Sequence, residues 1–506
     1  MDGTSMKENE VDYSDVQGLL RFGYGKMVEA SYALLRVRSA AAARVWLRAT
    51  PFTSAVALDP PPACALQVAF TAGGLAALGL PESVMAGFSP EFLSGMTEES
   101  RTRRLGDVGT NAPSHWAWGH GASVPHLLVM FYAGKNGLAD LIQNATGSGW
   151  SDAFEEMLWL NTSNLNKTEP FGFEDGISQP QIDWQRERDP TTPQIDYNNV
   201  VALGEFLLGY PNEYNKYTDR PLLDSDPTTA DLLPAEDAPG KKDLARNGSY
   251  LVLRDLLQDV RGFWQFVSQA SGGEVAAGEQ LAAAIVGRTR DGLPLVPIAP
   301  QPIPGIGSDP EEVRKNRFTY APDPTGSACP FGAHVRRTNP RNPDFPGRPG
   351  GFLQRVITML GFGPRGFRDD LMSPVRFHRI LRRGREYGDE LSPEEALQPA
   401  PPNESPRGLR FLCLNANISR QFEFLQNAWI VNTKFSGMTG ESDPLLGTRT
   451  EVPGCPVTAD FNQPRAGRLR RRVASLPQFV TVRGGAYFFL PSRRALRYFA
   501  SERSPL

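Results

Sequence analysis

Gly248–Ala270, GSYLVLRDLLQDVRGFWQFVSQA, carries two patterns in succession. Gly248–Arg254 is a short apolar run that predicts a strand, and from Asp255 the apolar residues recur at helical spacing, predicting an amphipathic helix over Asp255–Ala270 with Asp255 as its cap. The same order occurs near the amino terminus. There Val28–Val37 (VEASYALLRV) predicts a strand and the Ala-rich run Arg38–Arg48 a helix. Cys64–Phe70 predicts a second strand running into a helix at Thr71–Leu80 that Pro81 ends, Pro125–Ala133 a third strand, and Trp150–Leu160 another helix. In the later part, Leu409–Leu414 predicts a strand and Asn417–Trp429 a helix with Phe422, Leu425 and Trp429 at helical spacing. Two sets of strand–helix units predict a duplicated α+β arrangement, although no residue-level repeat accompanies it. Thr218–Asp243, Pro-rich, charged and without periodicity, predicts a surface connection between them. The expected division is a disordered stretch 1–10, a first domain 11–245 and a second 246–506.

The chain has 506 residues, 40% hydrophobic and 22% charged, which excludes a disordered, collagen-like or heptad-built protein. A net charge of -3 gives no global attraction to nucleic acid or to an anionic membrane. Cys64, Cys329, Cys413 and Cys455 are scattered, with no CxxC or CxxCH, so they predict buried thiols rather than a zinc site, a disulfide framework or a covalent c-type haem. The acidic, polar start MDGTSMKENEVDYSDVQG lacks the basic and apolar regions of a secretory signal, so a cytoplasmic location is expected. No run is long and apolar enough to span a membrane.

Five histidines limit where imidazole chemistry can occur: His115, His120, His126, His334 and His378. HExxH, GxSxG and GxxxxGK[ST] are all absent, which removes local support for a zincin, an α/β-hydrolase or a P-loop NTPase. His115 and His120, five apart in HWAWGH, read as structural. Phe171–Pro180, FGFEDGISQP, brackets Asp175 between Gly172 and Gly176, a pattern that holds a carboxylate in a tight loop or is an ordinary Asp-Gly turn. Cys329–Arg341, CPFGAHVRRTNPR, sets a single His before Arg336, Arg337 and Arg341, which suits an imidazole for iron with cations for haem propionates. His378–Gly388, HRILRRGREYG, is a third basic segment, read either as a solvated face or as a buried arginine above a metal. From His334 to Arg385 there are 12 Arg and no Lys, so the near-neutral average conceals a basic region suited to fixed, planar recognition of anionic groups such as propionates.

GFEDGISQP, CPFGAHVRRTNPR and ILRRG, in that order, resemble the signatures of the dye-decolourising peroxidases. DVQGLLRFGYGK, GEFLLGYPNEY, NGSYLVLRDLLQDVRGFWQF and FEFLQNAWI agree, so the resemblance covers nearly the whole chain. It implies two ferredoxin-like halves with haem held mainly by the C-terminal one. It further implies one non-covalent haem b per chain, hydrogen peroxide as oxidant, reduction through an oxyferryl state, and an aromatic or dye-like reductant. No nucleic-acid or membrane partner is expected, and the chain is expected as a monomer or homodimer. By the same resemblance Asp175 is the distal carboxylate, His334 the proximal iron ligand and Arg382 the distal arginine, with the adjacent Arg383 competing for that place. Leu409 and Phe411 resemble the apolar distal lining, and Asp443 in ESDPLLG the acid that holds the ring of the proximal His. Arg336 and Arg341 are expected near the propionates, and Tyr387 and Trp429 as candidate surface radical sites. By the same resemblance, the spacing from His334 to Arg382 is longer than the family's usual one. The longer spacing here points to an insertion at 344–373 that serves as a surface or access-channel element. The alternative weighed against an enzyme is a haem-handling protein of the same fold with incidental peroxidase activity.

Overall fold

The computed structural model describes residues 11–187, 200–297, 315–316, 318–341, 375–450 and 459–501. The expected disordered start 1–10, the expected insertion at 344–373 and Cys455 lie outside the described residues.

Four strands of the amino-terminal half, β1 (Glu29–Val37), β2 (Cys64–Phe70), β3 (Leu127–Ala133) and β4 (Phe154–Asn161), pair antiparallel in the order β4-β1-β3-β2. In the second half β5 (Ser249–Gln258), the short β6 (Leu381–Arg382) and β7 (Arg385–Tyr387), β8 (Gly408–Asn415) and β9 (Val480–Leu490) repeat that order, with β6 and β7 both on β8, then β5, then β9. Each half is therefore a ferredoxin-like unit of the α+β class. The two sheets join into one of nine strands, through the pair Phe489↔Phe70 between β9 and β2.

β3 is buried on both faces and reads as an unbroken apolar run, LLVMFYA, rather than an alternation. One face of the sheet packs Tyr32, Tyr132, Leu128, Leu253, Leu412 and Phe488 against Leu203 and Phe206. The other face carries the helices. Helix α1 (Ala40–Ala49) is capped by Ser39, whose side chain accepts from the Ala42 N–H, and it buries Trp46 and Leu47. The short helix α2 (Ala72–Ala77) is capped by Thr71 in the same way, and α3 (Leu138–Ala145) lies on β3. In the second half α4 (Val260–Ala270) and α5 (Val275–Val286) follow β5, α6 (His334–Thr338) is a single turn, and α7 (Ser419–Val431) is a wide-turned helix in which Glu423 N–H donates five residues back to Ile418.

Three secondary-structure expectations are corrected. Only Trp150–Ala153 is helical; Phe154–Asn161 pairs with β1 and is a strand, because cross-strand contacts outweigh the helix preference of Glu, Met and Leu. Asp255 does not cap α4, since β5 continues to Gln258 and Asp259 accepts the Gly262 N–H at 2.8 Å. Asp255 instead pairs with Arg410 on β8. Within Thr218–Asp243, Leu222–Asp224 and Lys241–Asp243 form a two-stranded ribbon that Arg220 ties by an ion pair to Asp243 at 2.5 Å. Cys329 and Cys413 are buried as expected, but Cys64 is exposed. No helix among the described residues is long and apolar enough to cross a membrane.

Candidate active site

Beyond β4 the chain enters a tight loop in which Gly172 (φ +91°) and Gly176 (φ +77°) adopt left-handed backbone that a side chain would strain. The Asp175 N–H donates to Lys167 O at 2.8 Å, which closes the loop and turns the carboxylate to a cavity. Asp175 Oδ1 accepts from Arg382 Nη1 at 2.7 Å. Burial pushes the Asp175 carboxyl up, but the Arg382 charge, the Gly176 N–H and the Arg382 hydrogen bond together outweigh it and hold the group below its ordinary range.

Arg382 sits on β6 beside β8, and its own N–H donates to Gln179 Oε1 at 3.1 Å. Arg383 faces the other side of the sheet, where its Nε donates to Leu19 O at 3.1 Å and burial pushes the guanidinium down to about 10. Strand alternation thus decides which of the two neighbours meets the cavity.

His334 opens α6, and its Nδ1 lies 3.0 Å from Asp443 Oδ2. Asp443 is 0% exposed, and its Oδ1 accepts the N–H groups of Leu445 and Leu446, each at 2.9 Å. Burial alone would push the His334 ring down and Asp443 up. The mutual charge and hydrogen bond of the pair win in both cases, raising His334 and lowering Asp443. A proton on Nδ1 held by an ionised Asp443 leaves Nε2 as the ring nitrogen available to the cavity.

His334, Asp175 and Arg382 line one cavity together with Leu409 and Phe411 of β8, Leu256 of β5, Val480 and Val482 of β9, and Phe422, Leu425, Trp429 and Ile430 of α7. The side-chain exposures of 41% for Asp175, 31% for Arg382 and 24% for His334 open onto this space. Mostly apolar walls around the available His334 nitrogen and the Asp175–Arg382 pair suit a flat apolar macrocycle with a central metal, so the residues present fit a haem.

Several expected residues stand elsewhere. Arg336 does not line the cavity; it is buried against Asp323, 2.9 Å away, and Cys329 O, under the rings of Tyr320 and Phe331. Arg341 lies behind the wall, donating to Ser178 Oγ at 2.6 Å and stacking on Phe318. Tyr387 and Trp429 are buried and are not surface residues: Arg410 covers the Tyr387 ring, and Trp429 faces the cavity beside His378. His115 and His120, expected as structural, are exposed. Glu169, Gln258, Arg254, Arg288 and Arg379 also line the cavity and were not singled out from sequence as cavity residues. One signal for two of them is in β5, SYLVLRDLLQ, where Arg254 and Gln258 share a face with Leu256 in a largely apolar strand.

No family model matches the chain. It is 27% identical over 517 residues to a dye-decolorizing peroxidase of Mycetinis scorodonius, covering 96% of this chain and 87% of that protein. It is 29% identical to the multifunctional dye peroxidase DyP2 of an Amycolatopsis species, covering 85% of this chain and 81% of the relative. The crystal structure of AauDyP complexed with imidazole superposes with a TM-score of 0.72 at 25% identity, over 97% of this chain and all of that one. A structure of the decolorizing peroxidase from Auricularia auricula-judae gives 0.71 at the same identity and coverage. With the doubled ferredoxin-like fold, the chain resembles the dye-decolorizing peroxidases over nearly its full length in both sequence and structure.

Proposed function

We propose that Asp175, Arg382, His334 and Asp443 are the groups through which this haem peroxidase reduces hydrogen peroxide and oxidises dyes and phenolics. The observation that carries the assignment is the pairing itself: Asp175 with Arg382 at 2.7 Å, both on one cavity with His334, which Asp443 holds from behind the wall at 3.0 Å. His334 would hold the haem through Nε2, and the apolar side chains of β8 and α7 would flank it. Bound haem supplies the iron at which the peroxide O–O bond breaks and through which reductants return electrons.

Asp175 accepts a proton from peroxide and returns it to the departing oxygen, while Arg382 donates hydrogen bonds to the charge that develops as the bond lengthens. Asp443 keeps the Nδ1 proton in place and raises the electron density that Nε2 can offer. We also assign the haem as non-covalent haem b, one per chain, in keeping with the absence of CxxCH from the sequence and of cysteine from the described cavity wall. Extraction of the pigment into acidified organic solvent tests this. A haem-handling role with incidental activity is not favoured, because each of the relatives compared is named as a peroxidase.

Asp175→Asn is the deciding experiment. Stopped-flow mixing with peroxide should show the first step slowed by about two orders of magnitude or more; an unchanged rate rejects the assignment. The pH dependence follows from the lowered Asp175 carboxyl. Its capacity to take a proton is present above that lowered value and lost as pH falls through it, so the acid limb of the peroxide step should lie below the ordinary aspartate range. An acid limb above that range contradicts the role given to Arg382.

A further inference from the structure

Glu169, six residues before Asp175, lies on the wall of the same cavity. Its Oε1 accepts the Phe173 N–H at 3.1 Å and its Oε2 the Phe171 N–H at 3.0 Å. Its own backbone completes the turn, since Glu169 N–H donates to Phe173 O at 2.9 Å and Gly172 N–H donates to Glu169 O at 2.7 Å. One residue thus closes the turn from which Asp175 emerges. The turn is in turn tied to the sheet: Gln258 Nε2 of β5 donates to Glu169 Oε2 at 2.7 Å, and Trp264 Nε1 of α4 donates to Phe171 O at 3.1 Å.

Gln258 is buried on the cavity wall, and its Oε1 has no hydrogen-bond partner. Turned end for end, the amide would offer that oxygen to a protonated Glu169, so the tether serves the carboxyl in either charge state. The groups that face Glu169 are few. Gln258 faces it from β5, the Phe171 and Phe173 N–H groups from its own loop, and the Asp175 charge from the loop's end. Arg290 reaches the loop at Gly172 O, 3.4 Å away, and Arg382 is occupied by Asp175.

We infer that Glu169 is a positioning residue for Asp175: its carboxyl closes the loop that carries Asp175, is tethered through Gln258 to the sheet, and by its own charge state sets how much negative charge the cavity holds. This rests on the role proposed above for Asp175. Burial, helped by the nearby Asp175 charge and opposed by the loop N–H groups and Gln258, pushes Glu169 up to about 7. Below neutrality Asp175 and Glu169, two of the carboxyls that line the cavity, are then in opposite states, Asp175 ionised and Glu169 neutral. Such divergence marks a division of labour between paired acids.

The test titrates cyanide into the ferric holoenzyme from mildly acidic to mildly alkaline pH and reads affinity from the Soret band. In the wild type, cyanide affinity should fall by about threefold or more as pH rises through about 7, because a further negative charge then lines the cavity. Glu169→Gln should abolish that step and slow the peroxide reaction by about tenfold through a displaced Asp175, with haem content and Tm kept. Gln258→Leu leaves the carboxyl but removes a hydrogen bond to its charged form, so the step should move to higher pH. The inference is overturned if Glu169→Gln retains the neutral step or the full peroxide rate. Should Glu169→Gln fail to fold, a Gln258→Leu profile identical to wild type overturns it. Asp175→Asn run in parallel separates the two ideas: its failure to slow the peroxide step defeats the role of Asp175 itself, whereas a slowed Asp175→Asn beside an unaffected Glu169→Gln defeats only the present inference.

Discussion

The two halves share one strand order and one continuous sheet, yet use the same face of it in different ways. In the amino-terminal half that face is filled. Trp46 of α1 meets Phe52, Trp150 and Phe154 edge-on with centroids 5.7, 5.3 and 5.2 Å away, and Leu66, Val68, Val129 and Phe131 from β2 and β3 complete the packing. In the second half the equivalent positions of β5, β8 and β9 carry Leu256, Gln258, Leu409, Phe411, Val480 and Val482, and they face a cavity. The apolar residues of both sets belong to or pack on one buried cluster, so the cavity is an interruption of a core rather than a cleft between cores. A duplicated fold can keep one copy as packed scaffold and open the other for chemistry, because stability requires the buried area but not that every copy be filled.

Substitutions can break that contrast, and their effects are ranked here from largest to smallest. His334→Ala removes the nitrogen offered to haem, and the purified protein should lose its Soret band; full haem content with normal peroxidase turnover refutes the ligand assignment. In the filled half, Trp46→Ala should lower stability by about 3–5 kcal/mol in denaturant unfolding while leaving the spectrum of the folded holoenzyme intact. A spectral change there would mean that the halves are not separate in function. Asp443→Asn retains shape but weakens the hold on Nδ1–H, and haem affinity or the peroxide rate should drop by about 10- to 100-fold. The smallest effect belongs to Tyr387→Phe. Its hydroxyl donates only a 3.3 Å bond to Leu256 O, so the loss should be about 1 kcal/mol with full turnover of a bulky dye. Lost dye turnover would restore Tyr387 as an electron relay despite its burial.

Much of the contrast was legible from residues alone. The strand Cys64–Phe70 was read with its observed bounds, and the helix after it was placed through Thr71 and Pro81, because apolar runs and turn residues act locally. Asp175, His334 and Arg382 were singled out through an ordered set of motifs and Leu409 and Phe411 through the family resemblance, and all five line one cavity. What was not legible depended on distant partners. Arg336 follows His334 by two residues, but the helical turn swings it to Asp323 instead of to the cavity. FEEMLWLN has helix-forming residues and becomes a strand only because β1 lies beside it. Glu169, closed on its own loop, carries no local mark of the cavity it lines, and Arg254 is marked only by its place in β5, since its partner Asp107 comes from far along the chain.

The strand alternation that chooses Arg382 over Arg383 also limits how this chain can change in length. On β5, Arg254, Leu256 and Gln258 face the cavity, while Leu251 and Leu253 belong to the opposite core. Deleting a single residue at the start of β5 and keeping its pairing would exchange the two faces. It would bring Leu253, Asp255 and Leu257 to the cavity and press a guanidinium into an apolar core. Insertions and deletions are therefore survivable in the connections between strands and ruinous within β5, β8 or β9. Any variation in chain length among working descendants of this protein should be confined to its loops.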